Sequence, residues 1–167
     1  LRLIPNSVCA GCYALKNNYV RFPAIVQAQY KRLESIKNPL WVEAMAVVIN
    51  SKAVAQHKVF RWHDAGDVQD LDHLNKIFAV CRLTPGMQHW MPTREAWIRK
   101  HLTSCPKNLI IRLSMTMIDQ PSAGTWNNTS TVVTKEATCP APTQGGNCGD
   151  CRNCWNPEIK NIAYGVH

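Results

Sequence analysis

Four of the eight cysteines in this 167-residue chain fall in one run, Cys139-Pro-Ala-Pro-Thr-Gln-Gly-Gly-Asn-Cys148-Gly-Asp-Cys151-Arg-Asn-Cys154-Trp155. A segment this rich in Gly, Pro and polar residues cannot be a buried strand or helix, so its thiols need another account. Free cysteine packs as a small hydrophobe, but Gly149, Asp150, Arg152 and Asn153 between these thiols do not read as core. Gln144, Gly145, Gly146, Asn147 and Gly149 allow a tight wrap. Successive amides in such a turn can point inward at an anionic centre. The spacing of Cys148, Cys151 and Cys154 suits three corners of an iron–sulfur cube, with Cys139 as a fourth ligand. Zinc, which more often takes two separated Cys-x2-Cys pairs, is the alternative metal.

Disulfides suit smaller secreted scaffolds, whereas a hydrophobic share of 46% and six tryptophans here supply a conventional core. Without secretory features, eight cysteines point to a reducing compartment, the cytoplasm of a cell, and to metal binding. The expectation is one domain over residues 1–167, with residues 139–167 as a cysteine-rich extension packed on it. No run of about 18 apolar residues exists, so no membrane partner is expected. A net charge of +8 raises nucleic acid as a partner, but Lys and Arg are scattered, and a generally basic surface explains it equally.

A second Cys-x2-Cys pair, Cys9 and Cys12, opens the chain around Gly11 and is followed by Tyr13. Redox dithiols, half zinc sites and half cluster sites all share that spacing. With cysteines near both ends, the termini are expected to meet in space. Cys81, on an apolar helix face, and Cys105, before Pro106, read as packing.

Pro23 begins a helical pattern through Ile25, Ala28, Leu33 and Ile36. Asn38-Pro39 caps a second helix carrying Trp41, Val42, Met45, Val48 and Ile49. Then Lys58–Trp62 reads as a strand, Leu71, Leu74, Ile77, Phe78 and Cys81 as a helix, and Gln88–Met91 as a strand. A helix over Ala96–Leu102 and a strand over Asn108–Met115 follow. Strand–helix alternation implies an α/β fold with three or four parallel strands, flanking helices and a cysteine-rich C-terminal loop. Asp119–Lys135 reads as a surface loop, a lid or a hairpin ending in Thr131-Val132-Val133.

Chemistry in parallel α/β folds collects at the carboxyl ends of strands. Those ends offer His63, Asp64, Asp67, Thr93, Arg94, Arg112 and Ser114. Asp64 and Asp67 can serve as acid, base or cation ligand, and Arg94 and Arg112 can bind a carboxylate or phosphate. Equally, the two aspartates can cap the next helix while the arginines pair with them. Trp155 is placed to cover a cluster, and His167 is a lone terminal imidazole.

Three motifs together resemble the phage "gene product 88" family: Cys9-x2-Cys12-Tyr13-Ala14; Arg61-Trp62-His63-Asp64-Ala65-Gly66-Asp67; and Cys148-x2-Cys151-x2-Cys154-Trp155, ending in Tyr164-x2-His167. The resemblance covers nearly the whole chain. It implies a likeness to radical S-adenosylmethionine enzymes, with a 4Fe-4S cluster and a partial β/α-barrel. Cys9 and Cys12 would be cluster ligands, with Tyr13 and Trp155 beside the cofactor, and the strand ends would form the pocket, S-adenosylmethionine included. An iron–sulfur redox or radical-type role with a host or phage redox partner is the expected function. A zinc-stabilised nucleic-acid-binding protein is the alternative.

Overall fold

A computed structural model describes residues 1–16 and 18–166 of the chain, with the side chain of Tyr13 outside the described atoms. Its centre is a curled half-barrel of five parallel strands: β1 (Val59–Arg61), β2 (Gln88–Thr93), β3 (Leu109–Ile118), β4 (Thr129–Val133) and β5 (Asn161–Gly165). They are ordered β1-β2-β3-β4-β5, so chain neighbours are also sheet neighbours. The helices are α1 (Asn18–Arg21), α2 (Pro23–Ser35), α3 (Trp41–Asn50), α4 (Lys52–Ala55) and α5 (Leu71–Leu83). Pro23 opens α2 as expected, where its missing N–H costs nothing. Asn38 acts earlier than expected: its side chain accepts from the Leu40 amide at 2.8 Å, and α3 starts at Trp41. Asp70 caps α5, accepting from the His73 amide at 2.8 Å.

Alternation along the strands divides the sheet into two apolar faces. The outer face carries Phe60, Met91, Leu109, Ile111 and Leu113 against Ile49 of α3 and Leu74, Ile77, Phe78 and Cys81 of α5. Burying each such side chain stabilises by roughly 1.5–3 kcal/mol. The inner face carries Trp90, Ile162 and Tyr164, and it is filled by Cys139, Cys154, Trp155 and Ile159 from the β4–β5 crossover. That crossover covers the inner face with a cysteine-rich plug in place of a helix.

The sheet has five strands where three or four are expected. β4 reads as loop because Thr129, Ser130 and Thr131 are hydroxyl residues, yet all three are buried. Their hydroxyls are satisfied within the sheet: Ser114 Oγ and Ser130 Oγ lie 3.0 Å apart, Thr129 Oγ1 donates to Asn161 Oδ1 at 2.9 Å, and Asn161 Nδ2 donates to Thr131 Oγ1 at 3.0 Å. β4 pairs in parallel with both neighbours, so the hairpin is excluded. The segment expected as a helix after β2 is a 3-10 helix, Ala96–Ser104.

The N-terminal arm lies beside β3: the Val8 amide donates to Thr116 O and the Ile118 amide to Asn6 O, both at 2.9 Å. Ser7 and Met117 form an isolated antiparallel bridge there.

Two buried histidines contribute a pH dependence. Burial pushes His73 and His89 down to about 4, and the Thr84 contact opposes this only in part for His89. As pH falls through the usual value near 6.5, the unfolded chain binds protons that the folded chain refuses, so stability declines until about pH 4. In urea titrations His89→Gln should lose less stability than the wild type between pH 7 and pH 4.5; parallel declines would contradict it.

Candidate functional site

Arg112 sits in mid-strand on β3 with a fully buried side chain. Its guanidinium donates to five backbone carbonyls. Nε reaches Cys154 O at 3.0 Å; Nη1 reaches Ile159 O at 2.8 Å and Thr129 O at 3.5 Å; Nη2 reaches Asn153 O at 3.0 Å and Asn156 O at 2.8 Å. Four of those carbonyls belong to the crossover, so this one side chain fixes the path of residues 153–159 over the inner face. Arg112 is therefore not a pocket arginine, as its expected place at a strand end implied, and it pairs with no aspartate. Burial lowers its pKa, opposed by Cys154 and Tyr164.

The other end of the plug is tied to the sheet edge. The Thr138 and Cys139 amides both donate to Ala163 O of β5, at 2.9 and 3.0 Å, and the Ala163 amide donates to Thr138 Oγ1 at 2.9 Å. Trp155 Nε1 donates to Phe60 O at 3.0 Å, and its ring meets Trp90 edge-on at 5.3 Å. Between these anchors, residues 141–152 are turns. Gly145 closes the 3-10 helix Ala141–Gln144 at φ 62°, and Gly149 at φ 52° sits where a Cβ would come within 3.2 Å of Gln144. The amides expected to point inward are partly spent on this wrap, Cys151 N donating to Cys148 O at 2.9 Å and Gly146 N to Ala141 O at 2.9 Å.

Cys154 is buried, with its Sγ 3.2 Å from the Tyr164 hydroxyl. Burial pushes its thiol up. The Tyr164 hydrogen bond and the Arg112 charge pull it down, while Cys139 and Cys148 push it up again. Tyr164 is raised by burial and by the same Cys154 and Cys139. Cys139, Cys148 and Cys154 thus share one electrostatic neighbourhood, and Cys148 brings Cys151 with it through their turn. Cys148 is exposed and Cys151 half-buried.

The donor set fits a thiolate-bound metal on two counts. A buried guanidinium with no carboxylate partner among the described residues favours anions nearby. Trp90 Nε1 is also buried in this cluster with no acceptor among the described residues, a donor suited to sulfur. Among the described residues, however, no three His, Cys, Asp or Glu side chains are gathered as a set that would hold a metal ion. Ligation therefore requires the exposed 147–151 turn to close on Cys154.

The remaining predicted residues occupy other places. Cys9 accepts from Arg94 Nη1, which puts the Cys9–Cys12 arm at the carboxyl end of β2 rather than on Arg112. Asp67 is spent on structure: it accepts from Thr93 Oγ1 at 2.6 Å, the Val68 amide at 2.8 Å and the Arg94 amide at 2.7 Å. Asp64 bonds the Tyr19 hydroxyl and lies 3.9 Å from Arg61. Neither aspartate caps α5. His63 lies two residues beyond β1 at φ 55°, half-buried beside a cavity, and its pKa is lowered by burial against the pull of Asp67. Cys81 is buried in the outer core with its thiol pushed up to about 12, and burial pushes Cys105 to about 11. His167 and the Tyr13 side chain lie outside the described residues. Sequence reasoning missed Tyr164 and Trp90 as members of the cysteine cluster; the apolar alternation Ile162, Tyr164 was the available signal for the first.

Residues 5–157 match the family model described as gene product 88. The chain belongs to that family. It is the phage family that the three motifs resemble, and the match spans all five strands except β5 together with every cysteine. No curated protein and no solved structure matches the chain. No helix among the described residues is long and apolar enough to cross a membrane.

Arg112→Met removes a donor shared by five backbone carbonyls, of which Asn153 O, Asn156 O and Ile159 O keep a second donor, and should lower stability by on the order of 3 kcal/mol in urea denaturation. Arg112→Lys should recover only part of it, because an ammonium cannot reproduce the planar fork. A loss within about 1 kcal/mol for Arg112→Met would show the anchor to be dispensable.

Proposed function

We propose that this gene product 88 protein is an iron–sulfur protein of the redox class. Its 4Fe-4S cluster would be held by Cys139, Cys148, Cys151 and Cys154 at the inner face of the half-barrel. The observation that carries the reading is the buried Arg112 charge. Among the described residues it has no carboxylate to answer it, and it pins the backbone that presents Cys154. A thiolate-ligated centre supplies negative charge there, and the cluster's chemistry is one-electron transfer.

The chain's own residues have definite parts. Arg112 and the Tyr164 hydroxyl stabilise negative charge on Cys154 Sγ. Trp90 Nε1 is a free donor for a second sulfur. Trp90, Trp155 and Ile159 keep water from the buried side of the centre, while exposed Cys148 leaves the other side open to a partner. Such an open edge suits electron exchange with a host or phage redox protein in the cytoplasm of an infected cell.

A radical-type role with S-adenosylmethionine would call for an iron without a cysteine ligand. The Cys9–Cys12 arm is the place for it by resemblance, but Pro5 stands where the Cys-x3-Cys-x2-Cys pattern of those enzymes has its first cysteine. Electron transfer asks for nothing the chain lacks, and so it is the reading preferred.

Anaerobic purification with iron, sulfide and zinc assays tests the proposal. About four irons and four sulfides per chain, with a visible band bleached by dithionite, are expected. Cys151→Ser should lose most of the iron and lower the melting temperature, because metal binding and folding are coupled. Zinc without sulfide would overturn the redox reading and bring forward a zinc-stabilised nucleic-acid-binding protein, recognisable by salt-dependent DNA or RNA binding.

A further inference from the structure

A cavity of about 720 Å³ opens between α2, α3 and the edge strand β1, on the outer side of the sheet. It takes no part in the cysteine plug. Its wall is aromatic: Trp41, Phe60, Trp62, His63 and His73, with Met45 beside them. The rings meet at angles, Phe60 on Trp62 edge-on at 5.1 Å, Trp41 on His73 edge-on at 5.6 Å and His63 on His73 edge-on at 5.7 Å. Trp62 is buried, with His89 stacked on it at 6.0 Å, so the accessible ring surface of this wall is that of half-buried Trp41, and planar groups stack on such surfaces.

Its polar character is neutral where it is deep and balanced where it is open. Burial holds both imidazoles below their usual pKa, His73 at about 4, so neither is cationic at neutral pH. At the rim Arg61 faces Asp64 at 3.9 Å, and Arg32 lies nearby. Asp67 also lines the cavity, so two cations and two carboxylates offset one another, which gives a strongly charged ligand no net attraction. His63 Nδ1 is buried with no partner among the described residues, an unmade hydrogen bond in the cavity wall. The volume is that of a small-molecule site, and a few polar groups in an aromatic lining are what such sites present.

We propose that this cavity binds a planar, uncharged nitrogen heterocycle of nucleobase size, stacked on Trp41 with its ring nitrogens toward His63. The stacking requires flat aromatic rings, and the unpartnered imidazole favours a heterocycle over a hydrocarbon ring. The balanced rim makes a phosphate unnecessary. The site stands apart from the cysteine cluster, so it holds whether or not a metal is bound.

Titrating the full chain with adenosine, guanosine, cytidine and uridine tests it, read by tryptophan fluorescence and by the shift in melting temperature. At least one nucleoside should quench saturably below about 10 mM and raise the melting temperature. Its 5′-monophosphate should bind no more than a few-fold differently, and p-cresol at least tenfold more weakly. Met45→Trp, which fills the cavity, should abolish binding, and Trp41→Leu should weaken it tenfold or more. If Trp41→Leu fails to fold, Met45→Trp decides. Three results would overturn the proposal: no saturation by any nucleoside, binding that depends on the phosphate, or unchanged binding in Met45→Trp.

Discussion

Five carbonyls around one buried guanidinium hold the inner half of this molecule together. Arg112 leaves β3, enters the concave side of the sheet and gathers Thr129 O from β4 with Cys154, Asn153, Asn156 and Ile159 O from the crossover. Irregular backbone buried on a sheet must find hydrogen-bond partners or pay for their loss. A helix would satisfy itself; the plug does so only in part, through Asn156 N to Asn153 O and Ile159 N to Asn156 O, and Arg112 adds donors to these and to Cys154 O. The cost is a buried positive charge without a carboxylate among the described residues. That charge favours negative charge on the Cys154 thiol beside it.

The two faces of the sheet therefore serve different ends. The outer face is a conventional helix-on-sheet core, where Phe78, Ile77 and Ile111 bury apolar area and the two depressed histidines stay neutral. The inner face has a smaller apolar cluster, rimmed by thiols of graded exposure from buried Cys154 to exposed Cys148. On the inner face Arg112 pins residues 153–159, while the hydrogen bonds given for the 147–151 turn are local to it.

Much of this was legible from residue order. The alternation of β1, α5, β2 and β3 gives a parallel sheet directly, since each apolar period is distinct and each boundary carries its own turn residues. The cysteine run marked the plug. β4 was hidden because Thr129, Ser130 and Thr131 look like solvent-facing loop residues, and only the partners on β3 and β5 reveal that their hydroxyls pair internally. Asp67 looked like a catalytic or capping carboxylate but ties the β1 loop to β2, a role set by the sheet neighbour and invisible in the chain. Arg112 was the largest surprise. A strand arginine reads as a pocket residue unless one knows that irregular backbone lies across from it.

Hydrogen–deuterium exchange, on metal-free and anaerobically reconstituted protein, tests the central claim most directly. The claim is that Arg112 pre-places the 153–159 backbone and that metal closes the turn beside it. The account predicts that amides of residues 153–159 are protected in both forms, and that those of residues 147–151 gain protection only on reconstitution. In Arg112→Lys both segments should exchange faster. Equal protection of residues 147–151 in both forms, or protection of residues 153–159 untouched by Arg112→Lys, would contradict it.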